Sequence, residues 1–362
     1  MDTIAATFPR RAALTLFAVA WLIATPAVDA RPATESHADL PAEPNTALTP
    51  DSAALERGRR LTRWLLDGRP DSVFESMAPA YAESLGGSAG VAQAVEQIRT
   101  GVGAEQERVA EAVSTRLDTD HYYRISRFSG VPGRTVTIHW AWNHDGAVTR
   151  VLARPTPQPA STGTEDHSTK TDLTLPFAGQ WYVFWGGRRA DQNYHVTAPT
   201  QRFAYDFVVV REGSTHQGRG TENDDYLCFG RPVLAPAPGT VSVAVDTLPD
   251  NRPGQMNREA PAGNHVVIDH GNDEYSLLAH FRSGSIRVEP GDSVRRGQTL
   301  GACGNSGNSS EPHVHYHLQT GPSFGEGVGL PARFRDYQVD GATVRRGEPV
   351  RGALVTPSPR SP

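Results

Sequence analysis

The chain has 362 residues with a formal net charge of −5, enough for two globular units with tails and without the basic excess of a nucleic-acid binder. Lys170 is its only lysine. That composition argues against lysine-dependent chemistry such as a Schiff base, a carrier-type attachment or a P-loop.

The first thirty residues read as an export signal. Arg10 and Arg11 precede an apolar run from Ala12 to Ala24, and Val28-Asp29-Ala30 suits signal-peptidase cleavage. The run is too short to span a bilayer. The mature chain is therefore expected to be exported, to the periplasm or outside the cell, without a stable membrane span. Residues 31–50, rich in Pro, Ala, Thr and acids, read as a disordered leader.

Helical patterning begins near Ser52, where Leu61, Trp64 and Leu65 fall on one face. Gly68-Arg69-Pro70 ends that helix, Asp71-Ser72 can cap the next, and a third is predicted over Val91–Ile98. Alternating runs follow at Tyr122–Phe128, Thr135–Trp142 and Val148–Ala153, separated by turn residues, as in an antiparallel sheet. Residues 51–155 thus read as a small α+β module, loosely similar to NTF2-like domains, with Trp140 and Trp142 assigned to its core and no chemistry assigned to it. Residues 156–172 form a polar Pro/Ser/Thr-rich linker. From 173 to 340 short strands bounded by Gly, Pro and Asn predict an all-β unit, and 341–362, rich in Arg and Pro, reads as a disordered tail. The chain is mainly β. Cys228 and Cys303 are its two cysteines, either a pair in an oxidising compartment or two buried thiols.

Near the end of the β unit, Glu311-Pro312-His313-Val314-His315-Tyr316-His317-Leu318 alternates histidine with apolar residues. On a strand this puts His313, His315 and His317 on one face. Imidazole is the commonest protein ligand for zinc, so two neighbours on a rigid strand offer a ligand and a group able to act on water beside the metal.

Four segments together resemble the lysostaphin/LytM-type zinc metallopeptidases: Phe203-Ala204-Tyr205-Asp206, Pro232 through Val241, Tyr275 through His280, and Gly304-Asn305-Ser306-Gly307 through His315. The likeness covers roughly residues 180–325. It implies an open β-barrel or sandwich of the duplicated hybrid motif with a groove on one sheet. It also implies Zn2+ held by Asp206 and His315, with His280 and His313 flanking the metal's water as acid/base and oxyanion stabiliser; their order is not divided by sequence. The family's first ligand normally lies four residues before the Asp, but Arg202 stands there and has no lone pair to offer. His195, eleven residues upstream of Asp206, is the candidate replacement, folded back by Ala198-Pro199-Thr200; His216 is the other candidate. His317 is expected to hydrogen-bond rather than ligate, and His265, His270 and His139 to stand apart. The activity implied is hydrolysis of peptide bonds in peptidoglycan cross-links or stem peptides, or in other Gly-rich peptides. The alternative is a non-catalytic relative that binds cell wall or activates an amidase.

Overall fold

In a computed structural model of the protein, residues 52–116 and 119–358 are described; the export-signal and leader readings lie outside them. Four helices come first: α1 (Ser52–Leu66), α2 (Pro70–Glu75), α3 (Pro79–Ser84) and α4 (Gly87–Val102). Proline opens both short helices, where its missing N–H is no loss. Ala54, Leu61 and Leu65 are buried along one stripe of α1, and Val91, Val95 and Val102 along one stripe of α4. The α1 stripe packs on a four-stranded antiparallel sheet in sequence order, β1 (Glu105–Arg116), β2 (Thr119–Phe128), β3 (Thr135–Asn143) and β4 (Val148–Pro155), while α4 packs on the other three helices. Gly58 is required in α1 because a Cβ there would lie 2.1 Å from the Tyr122 ring, which is fully buried beneath it. Trp140 is likewise buried, and its indole N–H reaches Thr62 Oγ1 at 3.1 Å.

Residues 156–172 run pinned along the next unit. Ala160 N–H donates to Val196 O at 2.7 Å, and Thr164 Oγ1 to Gly329 O at 2.6 Å. The carboxylate of Glu274, wholly buried, accepts from the backbone N–H groups of Lys170 and Thr171 at 2.7 Å each and lies 2.8 Å from His167 Nε2. A segment that composition alone reads as a loose linker is thus fastened by specific hydrogen bonds.

The second unit is built on an eleven-stranded sheet. Its strands are β5 (Trp181–Trp185), β6 (Tyr205–Val208), β8 (Gly239–Val245), β9 (His265–Asp269), β10 (Tyr275–Ala279), β11 (Ser293–Val294), β13 (Val314–Gln319), β14 (Gly329–Leu330), β15 (Phe334–Val339), β16 (Ala342–Gly347) and β17 (Leu354–Pro357). The path runs β11-β8-β9-β10-β13-β6-β5-β17-β15-β16, with β14 also on β13; β7 (Pro232–Leu234) and β12 (Thr299–Ala302) make a separate pair. The sheet is open rather than a closed barrel. Aromatic side chains fill the space behind it, among them Phe177, Trp181, Tyr205, Phe207, Tyr316 and Phe334.

The reading of 341–362 as a disordered tail is corrected over its described residues, 341–358. Residues 342–347 and 354–357 form β16 and β17, and β17 pairs with both β5 and β15. The Arg- and Pro-rich composition hid the reason: Val355 is fully buried against the main core, and its partner across the ladder is Trp181. Tertiary pairing decides strand formation here, not local composition.

Candidate metal centre

β13 lies at the centre of the sheet with β10 on one side and β6 on the other, and every residue of it is buried. In that register Ala279, His315 and Asp206 face one another across three adjacent strands. Asp206 and His315 therefore meet by ladder geometry, His315 Nδ1 standing 2.9 Å from Asp206 Oδ1.

The third member arrives from a loop. His195 is the second residue of a short 3-10 turn, Tyr194–Thr197, capped by Asn193. The Asn193 amide nitrogen donates to Gly187 O at 3.2 Å and Ala204 O at 2.9 Å, so its oxygen faces the histidine and accepts from His195 N at 3.1 Å and Nδ1 at 2.8 Å. With its proton on Nδ1, His195 presents a bare Nε2, 3.7 Å from Asp206 Oδ2. That nitrogen is buried and has no hydrogen-bond partner. Turns through Ala198 and Gln201 return the chain to β6. Arg202 is directed away, its NH1 donating to Arg188 O at 3.3 Å and its guanidinium 4.8 Å over the Phe203 ring.

His195, Asp206 and His315 form the one group of metal-ligand side chains found among the described residues, with one ligand atom from each lying within 4.8 Å of the others. Two further imidazoles border it. His280 follows β10 with a backbone φ of 65°, a left-handed conformation that a non-glycine residue adopts at a cost. Its N–H donates to Ala262 O at 3.2 Å, and its Nδ1 donates to Ser306 O at 2.7 Å. His313 Nδ1 donates to Glu311 O at 2.8 Å, and its Nε2 lies 3.6 Å from Asp206 Oδ1. The His280 and His313 ring centroids are 4.7 Å apart. Both rings thus turn Nε2 away from their backbone anchors.

The loops around them are locked together. Asn251 Nδ2 donates to Gly307 O and Ser309 O at 2.7 and 3.0 Å, and Ser306 Oγ to Phe281 O at 2.8 Å. At Gly307, with φ 81°, a Cβ would lie 2.4 Å from Gly263 N, so only glycine permits this contact.

The electrostatics follow from burial. Desolvation pushes the His195 pKa down to about 3, against the pull of Asp206. His280 is held well below the ordinary imidazole range, by burial first and then by His313 and His315; His317 is lowered too, by burial first and then by His315. For Asp206 burial alone would raise the pKa, but His195, His313 and His315 outweigh it and keep the carboxyl below its usual range. The site combines a carboxylate with imidazoles, of which burial favours the neutral form of His195 and His280, and carboxylate with imidazole is a donor set that suits a divalent cation. The orphaned His195 Nε2 fits such an ion: an unpaired buried acceptor is costly, and a metal would satisfy it.

The other histidines fall elsewhere. His216 bridges to Tyr226 and is not in the group. The His270 ring nitrogens lie 2.7 Å from Pro238 O and 2.8 Å from Ser276 Oγ, and His265 Nδ1 lies 2.8 Å from Gly263 O. Cys228 and Cys303 are buried thiols not joined in a disulfide, and Cys228 Sγ donates to Pro312 O, next to His313, at 3.0 Å. Sequence reasoning missed Asn193 and Ser306. An Asn two residues before a candidate ligand is a recognisable turn former, so Asn193 carried a usable signal; Ser306 did not.

Comparison with known proteins places this unit. Residues 224–325 match the model of peptidase family M23, a span that holds His280, His313 and His315. The peptidoglycan DD-endopeptidase ShyA of Vibrio cholerae is 45% identical over 149 residues, 39% of this chain and 30% of ShyA. The cell division protein DipM of Caulobacter vibrioides is 27% identical over 110 residues, 30% of this chain and 16% of DipM. The chain thus spans less than a third of the length of these curated relatives. Among solved structures, the catalytic domain of the prophage-encoded M23 protein EnpA from Enterococcus faecalis aligns at TM-score 0.28 and 22% identity, covering 44% of this chain and 93% of that one. The lysostaphin catalytic domain from Staphylococcus simulans aligns at TM-score 0.25 and 21% identity, covering 42% and 87%. With the family match falling on the segments that carry His280, His313 and His315, this chain carries a domain of peptidase family M23, the lysostaphin/LytM family, matched over residues 224–325.

Proposed function

We propose that this chain is an exported zinc metalloendopeptidase that hydrolyses peptide bonds of peptidoglycan, in cross-links or stem peptides. The observation that carries the reading is the buried, unpartnered His195 Nε2 converging with Asp206 and His315, with His280 and His313 alongside. His195, Asp206 and His315 would hold the zinc. When bound, zinc supplies a Lewis acid that polarises a peptide carbonyl and lowers the pKa of water toward roughly 7. The protein's part is to hold and move protons. His280 donates its Nδ1 proton to Ser306 O and so keeps a bare Nε2 able to accept a proton from the attacking water. His313, anchored to Glu311 O in the same way, bears on the same space from the neighbouring strand. One of the pair serves as general base while the other steadies the developing oxyanion or returns the proton to the leaving amine. Burial keeps His280 neutral near pH 7, the form a base needs. The cell-wall substrate is supported by relatives named as a peptidoglycan endopeptidase and a cell division protein.

The test is zinc analysis of the purified chain beside its action on isolated wall sacculi. One zinc per chain and clearing of the suspension with release of free amino groups is the expected outcome. A zinc-loaded chain that binds sacculi without cutting them would replace this reading with a non-catalytic, wall-binding or amidase-activating one.

A further inference from the structure

Three buried side chains on one face of β13 are linked in series. His315 Nε2 lies 2.9 Å from His317 Nδ1, and His317 Nε2 lies 2.7 Å from Gln319 Oε1. The series ends on backbone: Gln319 Nε2 donates to Gly321 O at 2.7 Å and Ser323 O at 2.8 Å. His317 and Gln319 are both fully buried, so no solvent competes for these bonds.

The direction of every proton in the series is fixed from its far end. Two carbonyl oxygens can only accept, so the Gln319 nitrogen must face them and its oxygen must face His317. An amide oxygen also only accepts, which puts the His317 proton on Nε2. His317 Nδ1 is then bare and accepts a hydrogen bond from the N–H that His315 carries on Nε2. The free lone pair of His315 is left on Nδ1, the atom 2.9 Å from Asp206 Oδ1. A lone pair facing a carboxylate oxygen at that distance is repulsive unless positive charge joins them. His195 is set by the same device, since Asn193 also places its amide nitrogen on two carbonyls and its oxygen on a ring N–H. The two amides impose opposite results: His195 presents Nε2 and His315 presents Nδ1.

We propose that His317 and Gln319 are positioning residues for metal capture, holding the His315 proton on Nε2 so that Nδ1 faces the ion. This inference rests on the metal-site reading above. Outer partners of ligand histidines typically change metal affinity by about 10–100-fold when lost.

The full chain is tested by measuring zinc affinity against a competing chelator, for the wild type and for His317→Leu, Gln319→Leu and His317→Asn. The two leucine variants should bind zinc about 10–100-fold more weakly. His317→Asn places Oδ1 near the position of Nδ1 and should recover most of that loss. Long-range proton–nitrogen spectra of the zinc-loaded wild type should show the His315 proton on Nε2. A proton on Nδ1 instead, or leucine variants with wild-type affinity, overturns the inference while leaving the metal site intact. A wild-type chain that binds no zinc overturns the metal reading itself. Should the leucine variants fail to fold, as judged by circular dichroism, the wild-type spectrum alone decides.

Discussion

Among the described residues, histidines cluster on a sheet face twice. In the four-stranded sheet, His121 Nδ1 lies 3.0 Å from His139 Nε2, Tyr123 stacks on His139 at 4.3 Å, and the Arg351 guanidinium sits 5.3 Å over Tyr123. In the larger sheet, His195 and His315 close on Asp206 with His280 and His313 beside them. Burial is common to both, and in both it lowers imidazole pKa values: in His139 by burial first, then by His121 and nearby arginines. The difference is the sign of the neighbouring charge. Guanidinium groups around the first pair oppose a cation, whereas a buried carboxylate at the second invites one. Imidazoles on a strand face make a metal site only when an anion and an unspent lone pair converge with them.

That contrast is broken most directly by removing the anion. Asp206→Ala and His315→Ala should each weaken zinc binding by orders of magnitude, because ligand loss removes free energy that nothing nearby replaces. His139→Ala should leave one zinc per chain. Metal analysis after dialysis against a weak chelator checks all three, and full occupancy in Asp206→Ala would end the assignment.

The second contrast lies inside the larger cluster, between rings proposed to hold the ion and rings proposed to move protons. His280→Ala and His313→Ala should retain zinc but lose about 10²–10⁴-fold in peptide hydrolysis. Release of free amino groups from sacculi, normalised to bound zinc, measures this. Metal lost from His313→Ala but kept in His315→Ala would mean the strand pair is assigned in reverse.

How much of this was legible in the sequence depended on how each residue is held. His315 and Asp206 sit on strands whose alternation shows in the primary structure, so their shared face follows from spacing and pairing. His280 was readable as the end of a strand, though its positive φ was not, since nothing in Leu-Ala-His-Phe announces a left-handed turn. His195 depends on Asn193 and on two carbonyls brought near by tertiary folding, so sequence could nominate it only as the nearest imidazole. His317 was readable as a hydrogen-bonding neighbour, but the role of Gln319 needs the loop that supplies Gly321 O and Ser323 O. The strands after Asp340 were missed because β17 forms against Trp181, far away in the chain, and β16 is a hairpin partner of β15 in a stretch whose Arg-rich composition hides it.

The smallest expected effect concerns the metal-free protein and acid. His195 has a folded pKa of about 3, while an unfolded histidine titrates near 6.5. Between those values the unfolded chain binds a proton that the folded chain refuses, so stability rises with pH and falls on acidification. His280 and His317, also held low, act in the same direction, and Asp206 adds its loss once pH drops below about 3.9. Each such proton contributes a slope of about 1.4 kcal/mol per pH unit. Urea midpoints of the metal-free chain should therefore decline steadily from about pH 6.5 downward. His139→Phe removes one proton's share from the first cluster and should make the decline shallower without abolishing it. A flat profile would mean that His195, His280 and His317 take up protons freely in the folded state. The neutral donor set that distinguishes the second cluster would then be absent without its metal.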